Sequence, residues 1–193
     1  QDIVQNLQYL KPVSAFRTKY DYDNLLYIVA GEVIRVASGK TWCDFIEERI
    51  MKPLEMNNSV ASFLRLKDTT NTIAPHVPVD GKLKVIKRYQ NHLFDGAAGI
   101  YSSVNDLSKW AIMQMNKGKY GSENKSLFSK KEHNEMWQMQ TIIPANTKAP
   151  YFTHFSGYGL GWFLSDVKGY KQVGHTGGLE GIVTQVTLIP ELQ

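Results

Sequence analysis

A single cysteine in 193 residues leaves Cys43 without a partner inside the chain, so no internal disulfide can form. It sits in Thr41-Trp42-Cys43-Asp44-Phe45-Ile46, a helix-like segment with no cysteine-hydrolase signature, and reads as packing rather than nucleophile. Apolar runs are too short for a transmembrane helix, and Gln1-Asp2-Ile3 does not open a signal peptide. A start without methionine leads us to expect a piece of a longer protein. Charge of one sign is also scarce: the formal net charge is +4, and the one basic run is Lys82, Lys84, Lys87 and Arg88. That run interleaves with Leu83, Val85 and Ile86 as the wet side of a strand does, so a nucleic-acid partner is not expected. His76, His92, His133, His154 and His175 lie far apart without ligand-like spacing, so neither a metal nor another cofactor is expected.

What is present suffices for a packed core, since 42% of the residues are hydrophobic. Leu25, Leu26, Val29, Val33, Val36 and Ala37 recur at helical spacing from Tyr22 to Ser38, and Gly39 supplies the stop. A second helix is expected from about Thr41 to Met51, closed by Pro53. Ser38-Gly39-Lys40-Thr41 has the end of a phosphate-binding loop, but Ile34 stands where that loop needs its first glycine, which excludes the nucleotide reading. Extended arms flank Asp80-Gly81 between Ile73 and Tyr89, a hairpin signal. Ser103 to Asp106 and Ser129 to Glu132 are capping boxes, opening helices that end near Gly118 and Trp137. Thr141 to Ser156 reads as a long loop. Tyr158 to Leu164, Tyr170 to Val173 and Ile182 to Ile189 read as three successive antiparallel strands. Helices first and a meander last favour an α+β arrangement of the sandwich type over a βαβ fold. The chain is read as one partial domain, residues 1–193, mainly helical to about 140 with a hairpin near 73–89, then antiparallel strands over about 157–193.

Gly174-His175-Thr176-Gly177-Gly178-Leu179-Glu180-Gly181 is the segment where chemistry is to be sought. A glycine-dense turn there sets an imidazole, a hydroxyl and unencumbered backbone N–H groups along a strand edge, a lining suited to acyl transfer. By themselves these residues also fit a glycine-rich hairpin with an incidental histidine.

Five segments, in order, resemble the serine β-lactamase and penicillin-binding-protein superfamily, in its class C β-lactamase-like, D-amino-acid peptidase and esterase branch. Tyr20-Asp21-Tyr22-Asp23-Asn24 with Tyr27 resembles the Tyr-x-Asn element, with its aromatic residue two before the tyrosine. Ser38-Gly39-Lys40 with Pro53-Leu54-Glu55-Met56, Gly99-Ile100-Tyr101-Ser102-Ser103, and Tyr158-Gly159-Leu160-Gly161-Trp162 resemble later segments. His175-Thr176-Gly177-Gly178 occupies the place of the Lys-Thr-Gly motif. The resemblance implies a partial β-lactamase/transpeptidase-like fold. It also implies a substrate, small molecule or peptide, with an amide, lactam or ester carbonyl.

In the roles so implied, Tyr22 relays the proton of a nucleophilic serine, and Asn24 bridges to the substrate carbonyl and the catalytic lysine. A free phenol has a pKa near 10, so the first role needs a nearby cation. His175 stands where a lysine usually stands, polarising Tyr22 or meeting a substrate carboxylate. Histidine is largely neutral at pH 7, so an anionic lactam is less suited to this site. Thr176 offers a hydroxyl, Gly177 lets substrate lie against the strand edge, and the Gly178 N–H gives half of the oxyanion hole.

The resemblance also exposes a gap, because the Ser-x-x-Lys turn belongs upstream of Tyr-x-Asn and nothing before Tyr22 provides it. Ser122-Glu123-Asn124-Lys125 and Ser165-Asp166-Val167-Lys168 match literally, but both lie downstream in turn-like segments, about as chance allows. The expectation is a part of a serine hydrolase, inert by itself, with its serine and lysine elsewhere in a periplasmic or secreted parent. A non-catalytic scaffold holding peptidoglycan-like peptides or a protein partner is the alternative. The sequence leaves the oligomeric state open.

Overall fold

Asp23 ends an irregular segment and opens the longest helix by accepting the Leu25 N–H on its carboxylate at 2.7 Å. The computed structural model describes residues 2–88, 90 and 92–192. Its helices are α1 (Asp2–Asn6), α2 (Asn24–Ser38), α3 (Trp42–Ile46), α4 (Asp95–Ala98), α5 (Val104–Met115) and α6 (Lys130–Met136). Its strands are β1 (His76–Val79), β2 (Lys82–Val85), β3 (Lys119–Tyr120), β4 (Lys125–Ser126), β5 (Thr141–Ile143), β6 (Ser156–Tyr158), β7 (Phe163–Val167), β8 (Tyr170–Leu179) and β9 (Ile182–Leu188). Helices and antiparallel sheets in these proportions make an α+β fold. No helix among the described residues is long and apolar enough to cross a membrane.

The chain divides into two compact units, the first comprising Gln1–Tyr22, Ser108–His175 and Gln185–Gln193. In this first unit Trp137, Trp162, Leu164, Val173 and Leu188 form a buried cluster, packed by Trp110, Met115, Met136 and Val186. Trp110 stacks on Trp162 at 5.2 Å between ring centroids, which joins the end of α5 to the sheet. The sheet order is β5-β6-β7-β8-β9.

Three strand boundaries differ from expectation. Tyr158 to Leu164 is a hairpin rather than one strand: β6 pairs with β7 through Tyr158↔Phe163, and Gly161 turns the chain at φ 81°. Gly159 lies against the Met136 carbonyl, where a side chain has no room. The expected loop from Thr141 contributes β5, because its β-branched Thr-Ile-Ile run pairs with β6. β8 runs on to Leu179, so His175 to Gly178 is strand and the turn lies at Glu180-Gly181, with Gly181 at φ 72°.

The second unit comprises Asp23–Leu107 and Thr176–Thr184. Its longest helix, α2, stops where Gly39 adopts φ 71°, as expected, but starts two residues after Tyr22 because Asp23 takes the cap. Leu26, Val33 and Val36 on this helix stay exposed. The helix meets α4 glycine to glycine: a Cβ on buried Gly31 would lie 3.8 Å from the Gly96 Cα, and one on Gly96 would meet the Tyr27 carbonyl at 2.9 Å. The second expected helix begins after Thr41 and widens into a π-helical turn over Glu47–Met51. Glu47 there accepts the Ala61 N–H and an Arg65 guanidinium N–H, both at 2.9 Å. Buried Asp106 accepts the Asn58 N–H at 2.7 Å and the Ser59 hydroxyl at 2.8 Å, which ties the start of α5 to this turn region. The β1–β2 hairpin turns at Asp80-Gly81, both with positive φ, while Tyr89 at the end of its expected arm lies outside the described residues.

Candidate active site

β7 and β8 have unequal lengths, and this positions the histidine. Their ladder ends at Phe163↔Gly174, while β8 continues through residues 175–179. His175 is therefore the first residue of β8 past the end of its neighbour. Its imidazole meets three aromatic rings drawn from three parts of the first unit. Phe163 of β7 lies 5.4 Å away, Tyr158 of β6 6.0 Å and Tyr22 5.9 Å, between ring centroids. Tyr20, on the same segment as Tyr22, packs on Tyr158 at 5.5 Å and on Phe163 at 5.9 Å. Tyr20 and Tyr22, on either side of Asp21, thus both reach Tyr158. The Tyr158 hydroxyl and His175 Nε2 share a hydrogen bond of 3.0 Å.

Of the residues singled out in the sequence, the structure brings Tyr22 and His175 together. Tyr22 is exposed and His175 half-buried. Thr176, Gly177 and Gly178 follow along β8, exposed and within the second unit. Asn24 is the first residue of α2, exposed and also in the second unit. A Cβ on Gly178 would meet nothing within 4 Å, whereas one on Gly177 would come within 2.5 Å of the Thr184 hydroxyl. Tyr158 was missed as a site residue. Its place at the head of the Gly-Leu-Gly-Trp turn, which forces β6 and β7 into a tight pair beside His175, is the signal that could have found it.

Cys43 belongs to the second unit. Its thiol is pushed up to about 11, by burial first and then by the Asp95 carboxylate, whose oxygen is 3.7 Å from the sulfur. Such a thiol is a poor nucleophile near neutral pH. Ser122 stands in the β3–β4 turn and Ser165 in the middle of β7, opposite Gln172, so neither literal Ser-x-x-Lys match opens a helix.

Residues 1–193 match the family model described as Beta-lactamase. The chain belongs to the beta-lactamase family. An unguisins hydrolase, ungD', from Aspergillus campestris is 28% identical over the whole chain, which covers 35% of that protein. The D-alanyl-D-alanine-carboxypeptidase/endopeptidase AmpH of Escherichia coli is 26% identical over 88% of the chain and 42% of its own length. Among solved structures, the octameric penicillin-binding protein homologue from Pyrococcus abyssi superposes with a TM-score of 0.76 at 24% identity, over 93% of this chain and 38% of that one. That likeness is one of fold. The chain spans little more than a third of the length of these beta-lactamase-family relatives.

Proposed function

We propose that the chain is the Tyr-x-Asn and His-Thr-Gly part of a serine hydrolase that works through an acyl-serine intermediate. The observation that carries this reading is Tyr22 beside His175 at the point where β8 outruns β7. Family membership supports the hydrolase class, and the hydrolase and carboxypeptidase names of the relatives support an amide, ester or lactam carbonyl as the target. In this reading a serine and a lysine outside the chain complete the site. The serine oxygen bonds to the carbonyl carbon and passes its proton through Tyr22 to the leaving group, whose bond to carbon then breaks. Water releases the acyl group by the reverse relay. Asn24 holds the substrate carbonyl and the lysine, Gly178 donates its N–H to the oxyanion, and Thr176 and Gly177 receive the substrate along the strand. A parent acting outside the cytoplasm fits such substrates.

A second reading, a non-catalytic scaffold for peptides, draws on the same observation, since a strand reaching past its neighbour can receive an extended peptide without any nucleophile. One experiment separates the two. A fluorophosphonate and a fluorescent penicillin are incubated with the 193-residue chain and with its full-length parent, and intact masses are recorded. Stoichiometric label on the parent and none on the chain is the expected result. Label on the chain overturns its inertness, and an unlabelled parent that still retains D-alanyl peptides favours the scaffold.

A further inference from the structure

We propose that a cleft at the end of β7 and β8 remote from His175 binds a small monocarboxylate with an apolar body, anchored by Lys171. The cleft lies within the first unit and encloses about 360 Å³, the size of a small-molecule site. Its apolar walls are Trp137, Met139, Phe155, Leu164 and Tyr170. Trp137 and Leu164 belong to the buried core, whereas Met139, Phe155 and Tyr170 are exposed. Large apolar side chains left in water around one concavity mark a place that receives another molecule. Lys171, Val173 and His175 alternate on one face of β8, with fully buried Val173 between the other two. At the usual rise of a strand Lys171 and His175 are about 13 Å apart, so a ligand in the cleft leaves the histidine open.

One lysine stands among these walls. Lys171 is half-buried, and its ammonium donates to the Trp137 carbonyl at the end of α6 at 2.9 Å and lies 5.7 Å from the Trp137 ring centroid. An ammonium has three donors, and one neutral carbonyl leaves its charge uncompensated. Two carboxylates line the same cleft, yet neither makes an ion pair with Lys171 among the described residues. Asp166 stands opposite Lys171 in the β7–β8 ladder, but its oxygens accept the His154 and Phe155 N–H groups and meet His154 Nδ1. Glu191 is exposed and acts on Lys171 only through space, against burial, which on balance holds the ammonium below the ordinary lysine pKa. A partly desolvated cation beside apolar walls is complementary to a carboxylate on an aromatic or branched body. Glu191 in turn disfavours a second negative charge, which selects a monocarboxylate over a polyanion.

The probe is phenylacetate, with phenylacetamide as its neutral counterpart, each titrated calorimetrically into the full-length protein. Phenylacetate should bind about tenfold more tightly than the amide, the worth of a charge-assisted hydrogen bond. Lys171→Met keeps an apolar stem and should erase that difference. Glu191→Gln, at an exposed position, should tighten phenylacetate about twofold and leave the amide unchanged. Equal affinity for the two probes overturns the proposal, and so does the absence of binding in the millimolar range. A preference for phenylacetate that survives Lys171→Met also overturns it, because the anion then sits elsewhere, the His175 site included. If Lys171→Met does not fold, Glu191→Gln decides: phenylacetate held no more tightly than by the wild type overturns the proposal.

Discussion

Three glycines of β8 have unequal reasons to be glycine, and the differences can be measured. A Cβ at Gly174 would come within 2.8 Å of the Val186 carbonyl, a backbone atom that cannot move without disturbing β9. At Gly177 the obstacle is the Thr184 hydroxyl, which can rotate away, and at Gly178 there is no obstacle. Gly174→Ala should therefore cost about 1–3 kcal/mol in urea unfolding, and Gly178→Ala less than about 0.5 kcal/mol. Equal losses at both positions would contradict this packing. Cys43 supplies a second test at the same scale. With its thiol pushed up to about 11 by burial, little thiolate exists at pH 8, so a disulfide reagent should modify it far more slowly in the folded protein than in urea. Equal rates would mean that the sulfur is not enclosed.

Short capped elements carry much of the local order. Ser129 accepts the Glu132 N–H while the Glu132 carboxylate accepts the Ser129 N–H at 2.6 Å, a reciprocal cap on α6. Ser129→Ala should lower unfolding free energy by about 1 kcal/mol. Asp166 of β7 fastens the loop that leads into β6: it accepts the His154 and Phe155 N–H groups at 2.8 Å and His154 Nδ1 at 2.9 Å. The His154 side-chain bond first, then the Phe155 N–H, hold its carboxyl at about 2, below the usual aspartate range. The folded carboxyl binds its proton less readily than the unfolded one, so its contribution is complete above about pH 4 and lost as pH falls toward about 2. Asp166→Asn should flatten the acid limb of the stability curve in that window, and an unchanged limb would argue against the clamp. This aspartate lies inside a literal Ser-x-x-Lys match whose serine is a ladder residue, which shows how a motif string can have a purely structural use.

At the scale of the molecule, the sequence made the caps, the Asp80-Gly81 turn and the α+β class legible because each depends on neighbours a few residues apart. Gly39 and Ser129 are fixed by local geometry, whereas the cap at Asp23 was not read, because the apolar spacing runs on through Tyr22. The Tyr158 to Leu164 hairpin was not legible, because its aromatic-rich residues fit a strand until Gly161 takes a positive φ and Gly159 meets α6. The length of β8 was hidden for a related reason: Gly174, Gly177 and Gly178 read as turn formers, yet all three are strand residues, the first two fitted closely against β9. Tyr22 and His175 were found as a pair through resemblance, but Tyr158 required the register of β6 on β7.

The composition of β8 has a colloidal side as well. Glycine has poor strand propensity, so Gly177 and Gly178 beside Thr176 make this end of β8 a weak seed for strand addition by another copy of the chain. Gly178→Val has the room to be accommodated and raises the strand propensity of the stretch, and should give concentration-dependent light scattering that the parent sequence lacks.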